Sequence, residues 1–173
     1  MKSQGSRTHL VTGGARSGKT ACALRLAART GLERWMIVTA QPGDAEMERR
    51  IAKHRAERGE LWRVVEEPVD LAPALESQLD DRRVIVVDCL TLWLSNLMFL
   101  ERDLDAEVIK LCAVARSAKS AAIFVTNELG MGLVPETPIG RAFRDRHGAM
   151  NQMIAESCAA VTFVVSGIPM KIK

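Results

Sequence analysis

Five short stretches of this chain are apolar at nearly every position: His9–Thr12, Trp35–Ala40, Val84–Val87, Ala121–Thr126 and Val161–Val165. Runs of that length without alternation predict strands buried on both faces. A weaker strand is predicted from Leu61 to Glu66. Between the strands, apolar residues recur three or four apart, the period of a helix with one covered face. This spacing predicts helices from Thr20 to Arg29 with Gly31 as C-cap, from Asp44 as N-cap to Arg58 before Gly59, and from Leu71 to Leu79. A long helical pattern begins soon after Asp88, and another runs from Pro138 to Ala160. Strands and helices in alternation imply an α/β fold, a mainly parallel sheet covered by helices on both faces, with residues 1–173 as a single domain. Ligands of such sheets bind at the carboxyl ends of the strands, so the loops after Thr12, Ala40, Asp88 and Thr126 should share one cleft.

The first of these loops carries chemistry. Gly13, Gly14, Ala15, Arg16, Ser17, Gly18, Lys19 and Thr20 fit the phosphate-loop pattern of glycine, four residues, then glycine, lysine and threonine. Glycines let backbone N–H groups turn inward around an anion. Lys19 can reach a β- or γ-phosphate, and the Thr20 hydroxyl can hold Mg2+. A strand before the loop and a helix after it supply the context that a true match requires, the helix turning its positive end to the phosphates. The fold is therefore of the P-loop NTPase type, and the chain is expected to bind a nucleoside triphosphate. Asp88, after four aliphatic residues, follows the pattern of a Walker B acid and would hold the metal directly or through water.

Composition narrows the partners. A net charge of +3 and an aromatic content of 4%, with no tyrosine, disfavour a nucleic-acid binder. The most hydrophobic region, Val84 to Leu100, is interrupted by Asp88, Ser95 and Asn96 and is short for a membrane span. Met1 to Thr8 is polar and lacks the apolar segment of a signal peptide. Cys22, Cys89, Cys112 and Cys158 form no CxxC pair and read as free buried thiols in a reducing compartment. A cytoplasmic protein is the expectation.

Three histidines need weighing. His54 falls on a helix rich in Arg49, Arg50, Lys53, Arg55 and Arg58, and shares an apolar stripe with Met47 and Ile51. Spacing alone favours a core histidine there. The other reading is a nucleophile, a neutral imidazole beside cations that would stabilise an arriving phosphoryl group. His147 lies on the stripe Phe143, Met150, Ile154 and reads as structural, as does His9 in the first strand. Arg141, Arg144 and Asp145 could meet an anionic substrate or simply water. Gly130 and Gly132, after Asn127 and Glu128, mark either a loop that approaches a ligand or an ordinary turn. On residues alone, a kinase for some other small alcohol with an inert His54, or a GTP-sensing module without turnover, stays open.

Several segments together resemble one family: Val11 to Thr20, Arg50-Ile51 to His54 leading to Trp62, Val125-Thr126-Asn127-Glu128-Leu129-Gly130-Met131-Gly132-Leu133-Val134-Pro135-Glu136, Phe143-Arg144-Asp145, and Val164 to Lys173. They are similar to the bifunctional adenosylcobinamide kinase / adenosylcobinamide-phosphate guanylyltransferase of cobalamin biosynthesis, over essentially the whole chain. The resemblance implies two reactions. The aminopropanol hydroxyl of adenosylcobinamide takes the γ-phosphate of ATP or GTP. A histidine then attacks the α-phosphorus of GTP, and the guanylyl group passes to the substrate phosphate to give adenosyl-GDP-cobinamide. The guanylylated histidine of the family falls on His54, and Lys53 stands where some members carry a second histidine. Nucleotide contacts carry over to Gly13–Thr20, to Val38, Thr39 and Ala40, to Arg55, Ala56, Glu57 and Arg58, to Glu66 and to Asp88; residues 55–59 match less closely in identity. The resemblance also implies a homo-oligomer, with a trimer building the corrinoid site between subunits.

Overall fold

The computed structural model describes residues 7–41 and 61–173. Among them seven strands form one sheet: β1 (Thr8–Gly13), β2 (Glu33–Val38), β3 (Trp62–Glu66), β4 (Arg83–Asp88), β5 (Ala121–Val125), β6 (Ala160–Val165) and β7 (Ile168–Lys171). Their order is β3-β2-β4-β5-β1-β6-β7. Every pairing is parallel except that of β6 with β7. Among the described residues the helices are α1 (Lys19–Ala28), α2 (Leu71–Gln78), α3 (Leu90–Phe99), α4 (Leu104–Ser117) and α5 (Pro138–Ser157).

The apolar runs are buried on both faces because successive side chains alternate between two cores. In β4, Val84 and Val86 pack with Cys22, Ala23 and Ala27 of α1. Ile85 and Val87 pack on the other side with Leu75 of α2, Trp93 of α3, Leu111 of α4 and Ile154 of α5. Each fully buried aliphatic or aromatic side chain contributes about 1.5–3 kcal/mol relative to exposure. Trp93, the largest of them, also satisfies its indole N–H on the Val69 carbonyl at 2.7 Å.

Four boundaries differ from the sequence expectation. The helix expected from Pro138 to Ala160 ends at Ser157, because Ala160 already opens β6 beside His9. The helical pattern after Asp88 is two helices, divided where Glu101 takes a positive φ of 52° and Asp103 caps α4 by accepting from the Ala106 N–H. α1 stops at Ala28 with Arg29 as its cap, and Gly31, at φ 70°, completes the turn beyond it. The tail forms a seventh strand, turning back on β6 through Ser166 (φ 50°) and Gly167 (φ 82°). Positive φ at both central residues is what a two-residue type I′ hairpin requires. Lys173 then sets its ammonium group on the carbonyls of Ala155, Glu156 and Cys158, where the C-terminal end of α5 favours a cation. The predicted helix from Asp44 to Arg58, with His54, lies outside the described residues.

The four cysteines are free, as expected. Burial pushes the Cys158 thiol up to about 12 and the Cys89 thiol up to about 11. No helix among the described residues is long and apolar enough to cross a membrane.

Candidate active site

Strand register draws the predicted site residues into one row. Glu66, Val38, Asp88 and Val125 pair across β3, β2, β4 and β5, and Val125 pairs with Val11 of β1. The strands point the same way, so the loops after Gly13, Val38, Asp88 and Val125 open at one edge of the sheet.

The phosphate loop is held by the fold from below. A Cβ on Gly13 would stand 2.5 Å from the Val164 carbonyl oxygen and 2.6 Å from Ser17 Oγ, so the first glycine is dictated by β6. Gly14 is different: a Cβ there would meet nothing within 4 Å. No packing among the described residues demands glycine at this position. The Ser17 N–H bonds the Gly14 carbonyl at 3.2 Å, and Lys19 Nζ donates to the same carbonyl at 3.1 Å. Gly18 turns into α1 at φ 90°, a backbone conformation that costs any residue with a Cβ. The start of α1 has no side-chain cap and no acid in its first turn. Its first N–H groups thus face the loop, the arrangement that binds an anion.

The second wall is built by Thr39. Its hydroxyl, completely buried, donates to the Cys89 carbonyl at 2.7 Å and accepts from the Cys89 N–H at 3.0 Å. The Thr39 N–H bonds the Asp88 carbonyl at 3.2 Å, and the Thr39 carbonyl accepts from Asn96 Nδ2 at 2.8 Å. Thr39 therefore acts from beneath the cleft, fixing the backbone that carries Asp88. Beside it, burial and then the Asp88 charge raise the Cys89 thiol, an effect Lys19 only partly offsets. Cys89 stays protonated near neutral pH and is no nucleophile.

Chemistry of the donor set fits Mg2+: Thr20 stands in the first turn of α1, Asp88 ends β4, and their hydroxyl and carboxylate are hard oxygen donors of the kind that ion takes while keeping several waters. His54, Arg55, Ala56, Glu57 and Arg58 lie outside the described residues. His147 is structural, as expected: its Nε2 lies 3.0 Å from Thr91 Oγ1 and 3.3 Å from Thr126 Oγ1, and burial lowers it to about 4. His9 is likewise engaged, with Nε2 2.8 Å from Thr162 Oγ1.

Sequence reasoning gave no role to the hairpin at Ser166-Gly167. The Gly167 N–H donates to the Ser17 carbonyl at 2.8 Å, and its Cα lies 3.4 Å from the Cβ position of Gly18. A Ser-Gly pair between two apolar runs is a turn signal, but it does not say that the turn lands on the phosphate loop.

Residues 9–172 match the family model described as cobinamide kinase / cobinamide phosphate guanyltransferase. The chain is 48% identical over 166 residues to the bifunctional adenosylcobalamin biosynthesis protein CobP of Pseudomonas aeruginosa, spanning 95% of this chain and 96% of that one. It is 37% identical over 179 residues to the bifunctional adenosylcobalamin biosynthesis protein CobU of Escherichia coli, spanning 95% and 98%. Among solved structures it is similar to the flagellar accessory protein FlaH of Methanocaldococcus jannaschii, with a TM-score of 0.53 at 13% identity over 98% of this chain and 79% of that one. A solved ATPase domain is similar at a TM-score of 0.52 and 12% identity, over 91% and 69%. These two likenesses speak for the fold alone. With a family match over almost its full length, the chain belongs to the cobinamide kinase / cobinamide phosphate guanyltransferase family.

Proposed function

We propose that this chain phosphorylates the aminopropanol hydroxyl of adenosylcobinamide with ATP or GTP, and then transfers GMP from GTP to the resulting phosphate. The observation that carries this reading is the uncapped start of α1 behind a complete phosphate loop, in a chain of this family, with Asp88 at the end of β4. Lys19 and the N–H groups of Gly13–Thr20 would bind the triphosphate and offset charge growing on the leaving oxygen. Mg2+ held by Thr20 and Asp88 would neutralise the phosphates and orient them. One domain would carry both steps.

For the second step His54 is the nucleophile. Its imidazole nitrogen bonds the α-phosphorus as pyrophosphate leaves, and the substrate phosphate later displaces the histidine. Splitting the transfer into two in-line displacements keeps the anhydride's reactivity on the enzyme. Val38, Thr39, Ala40, Glu66 and residues 55–58 would frame the nucleotide. Exposed Met131, Leu133 and Val134 after Glu128, and Ile168 and Met170 on the edge strand β7, support a homo-oligomer that covers them. The setting would be the cytoplasm.

Incubation with α-labelled GTP and Mg2+ tests the covalent step. An acid-labile label on the wild type that His54→Ala abolishes is expected. Full labelling of the variant would remove His54 from its role. Incubation with γ-labelled ATP and adenosylcobinamide tests the first step, and an unlabelled corrinoid would remove the kinase activity.

A further inference from the structure

Glu128 follows β5, the strand between β1, which feeds the phosphate loop, and β4, which ends in Asp88. Its N–H donates to the Gly13 carbonyl at 3.0 Å, tying it to the first residue of the loop. The preceding residue is fixed at both backbone groups. The Asn127 N–H donates to Thr91 Oγ1 at 3.0 Å, and its carbonyl accepts from Asn151 Nδ2 at 2.9 Å. Thr126 Oγ1 in turn donates to Asn151 Oδ1 at 2.9 Å, with His147 beside it. Side chains from α3 and α5, with the Glu128 N–H on Gly13, thus determine where this turn sits, while the Glu128 side chain takes no part in holding it.

Among the described residues the Glu128 carboxylate has no hydrogen bond or ion pair, although the residue is half-buried. Glu107 is the contrast: buried in α4, it is held by Arg102 at 2.8 Å and Lys110 at 3.0 Å. A carboxylate with no partner among the described residues, carried on a turn whose backbone is fixed beside the phosphate loop, is a candidate for chemistry on a bound substrate.

The geometry points to Glu128 as the general base of the phosphoryl-transfer step, an inference that rests on the kinase reading above. Its carboxylate takes the proton of the acceptor hydroxyl. The hydroxyl oxygen's electron pair forms the bond to the γ-phosphorus as the bond from phosphorus to the bridging oxygen breaks, that pair leaving with the nucleoside diphosphate. The proton passes to water once product departs. Guanylyl transfer makes no such demand, because its acceptor is already a phosphate anion. Glu128 should therefore separate the two reactions.

The test measures both in one preparation of the full chain: phosphorylation of adenosylcobinamide, and GMP transfer to supplied adenosylcobinamide phosphate. Glu128→Gln should lower the kinase kcat by roughly 100-fold or more, the usual scale for removing a general base. GMP transfer and the nucleotide KM should stay within about threefold of wild type on that scale, and Glu128→Asp should retain part of the kinase rate. Three results would overturn the assignment: an unchanged kinase rate in Glu128→Gln, an equal fall in both reactions, or recovery of the kinase rate at high Mg2+, which would make Glu128 a metal partner. A wild type that makes no phosphorylated product would instead refute the kinase reading itself.

Discussion

The N–H of Gly167 donates to the carbonyl of Ser17 at 2.8 Å, so the β6–β7 hairpin seats directly on the phosphate loop. A segment near the far end of the chain thereby sets the shape of a motif near its beginning. This contact and the Gly13 packing on Val164 both come from β6 and its turn.

Two substitutions at that turn differ in whether the contact with the loop survives. A Cβ at Gly167 would meet nothing within 4 Å, so Gly167→Ala suffers only from its φ of 82°. That costs about 1–2 kcal/mol, or roughly 2–4 °C of melting temperature per kcal/mol in a domain of this size. Triphosphate affinity should hardly move. Gly167→Pro cannot take that φ and has no N–H, so it lifts the turn off the loop and should raise the nucleotide Kd about tenfold or more, a loss of about 1.4 kcal/mol at least. Calorimetric titration with GTP checks this, and a Kd for the proline variant within twofold of wild type would refute a supporting role.

The first two glycines of the loop should fail differently. Gly13→Ala forces a Cβ against the Val164 carbonyl, and overpacking of that kind costs about 1–3 kcal/mol. Both melting temperature and nucleotide binding should drop. Gly14→Ala meets no protein atom within 4 Å, so it should melt like wild type and lose only nucleotide affinity. Equal thermal loss in the two variants would contradict the division.

Thr39→Val is nearly isosteric but removes the hydroxyl that bridges both backbone groups of Cys89. Leaving that N–H unpaired should cost about 1–3 kcal/mol in a urea melt. Asp88 sits on the loosened peptide, so the Mg2+ concentration needed for half-maximal kinase rate should rise as well. Thr39→Ser keeps the hydroxyl and should restore most of both. A valine variant with wild-type stability and Mg2+ dependence would show that Thr39 does not hold the wall.

Acid should weaken the fold through His147. Burial lowers its imidazole from the ordinary 6.5 to about 4, so the unfolded chain takes up this proton well before the folded one. The contribution is intact above pH 6.5, declines by up to about 1.4 kcal/mol per pH unit through the window from 6.5 to 4, and changes no further below it. His147→Asn cannot take up that proton. Its stability deficit relative to wild type at pH 7 should therefore shrink by about 2 kcal/mol at pH 5, read from urea melts at both values. His9, lowered by burial and by Lys171, titrates in both proteins and cancels in the comparison. A deficit that stays constant would mean His147 does not titrate in this window.

Residue order by itself determined six of the seven described strands, the phosphate-loop pattern and the family, because each is a local signal: apolar runs as long as a buried strand, and spacings that one turn must obey. Phe124 and Val125 are buried on opposite faces, as such a run predicts. Only the tertiary structure decided that the Ser166-Gly167 turn lands on Ser17, that Thr39 braces Cys89 across 50 positions, and that Thr91 and Asn151 hold the turn that carries Glu128. These contacts join residues whose separation along the chain carries no periodicity. They exist because parallel pairing brings distant strand ends to one edge, where unpaired backbone groups must find partners.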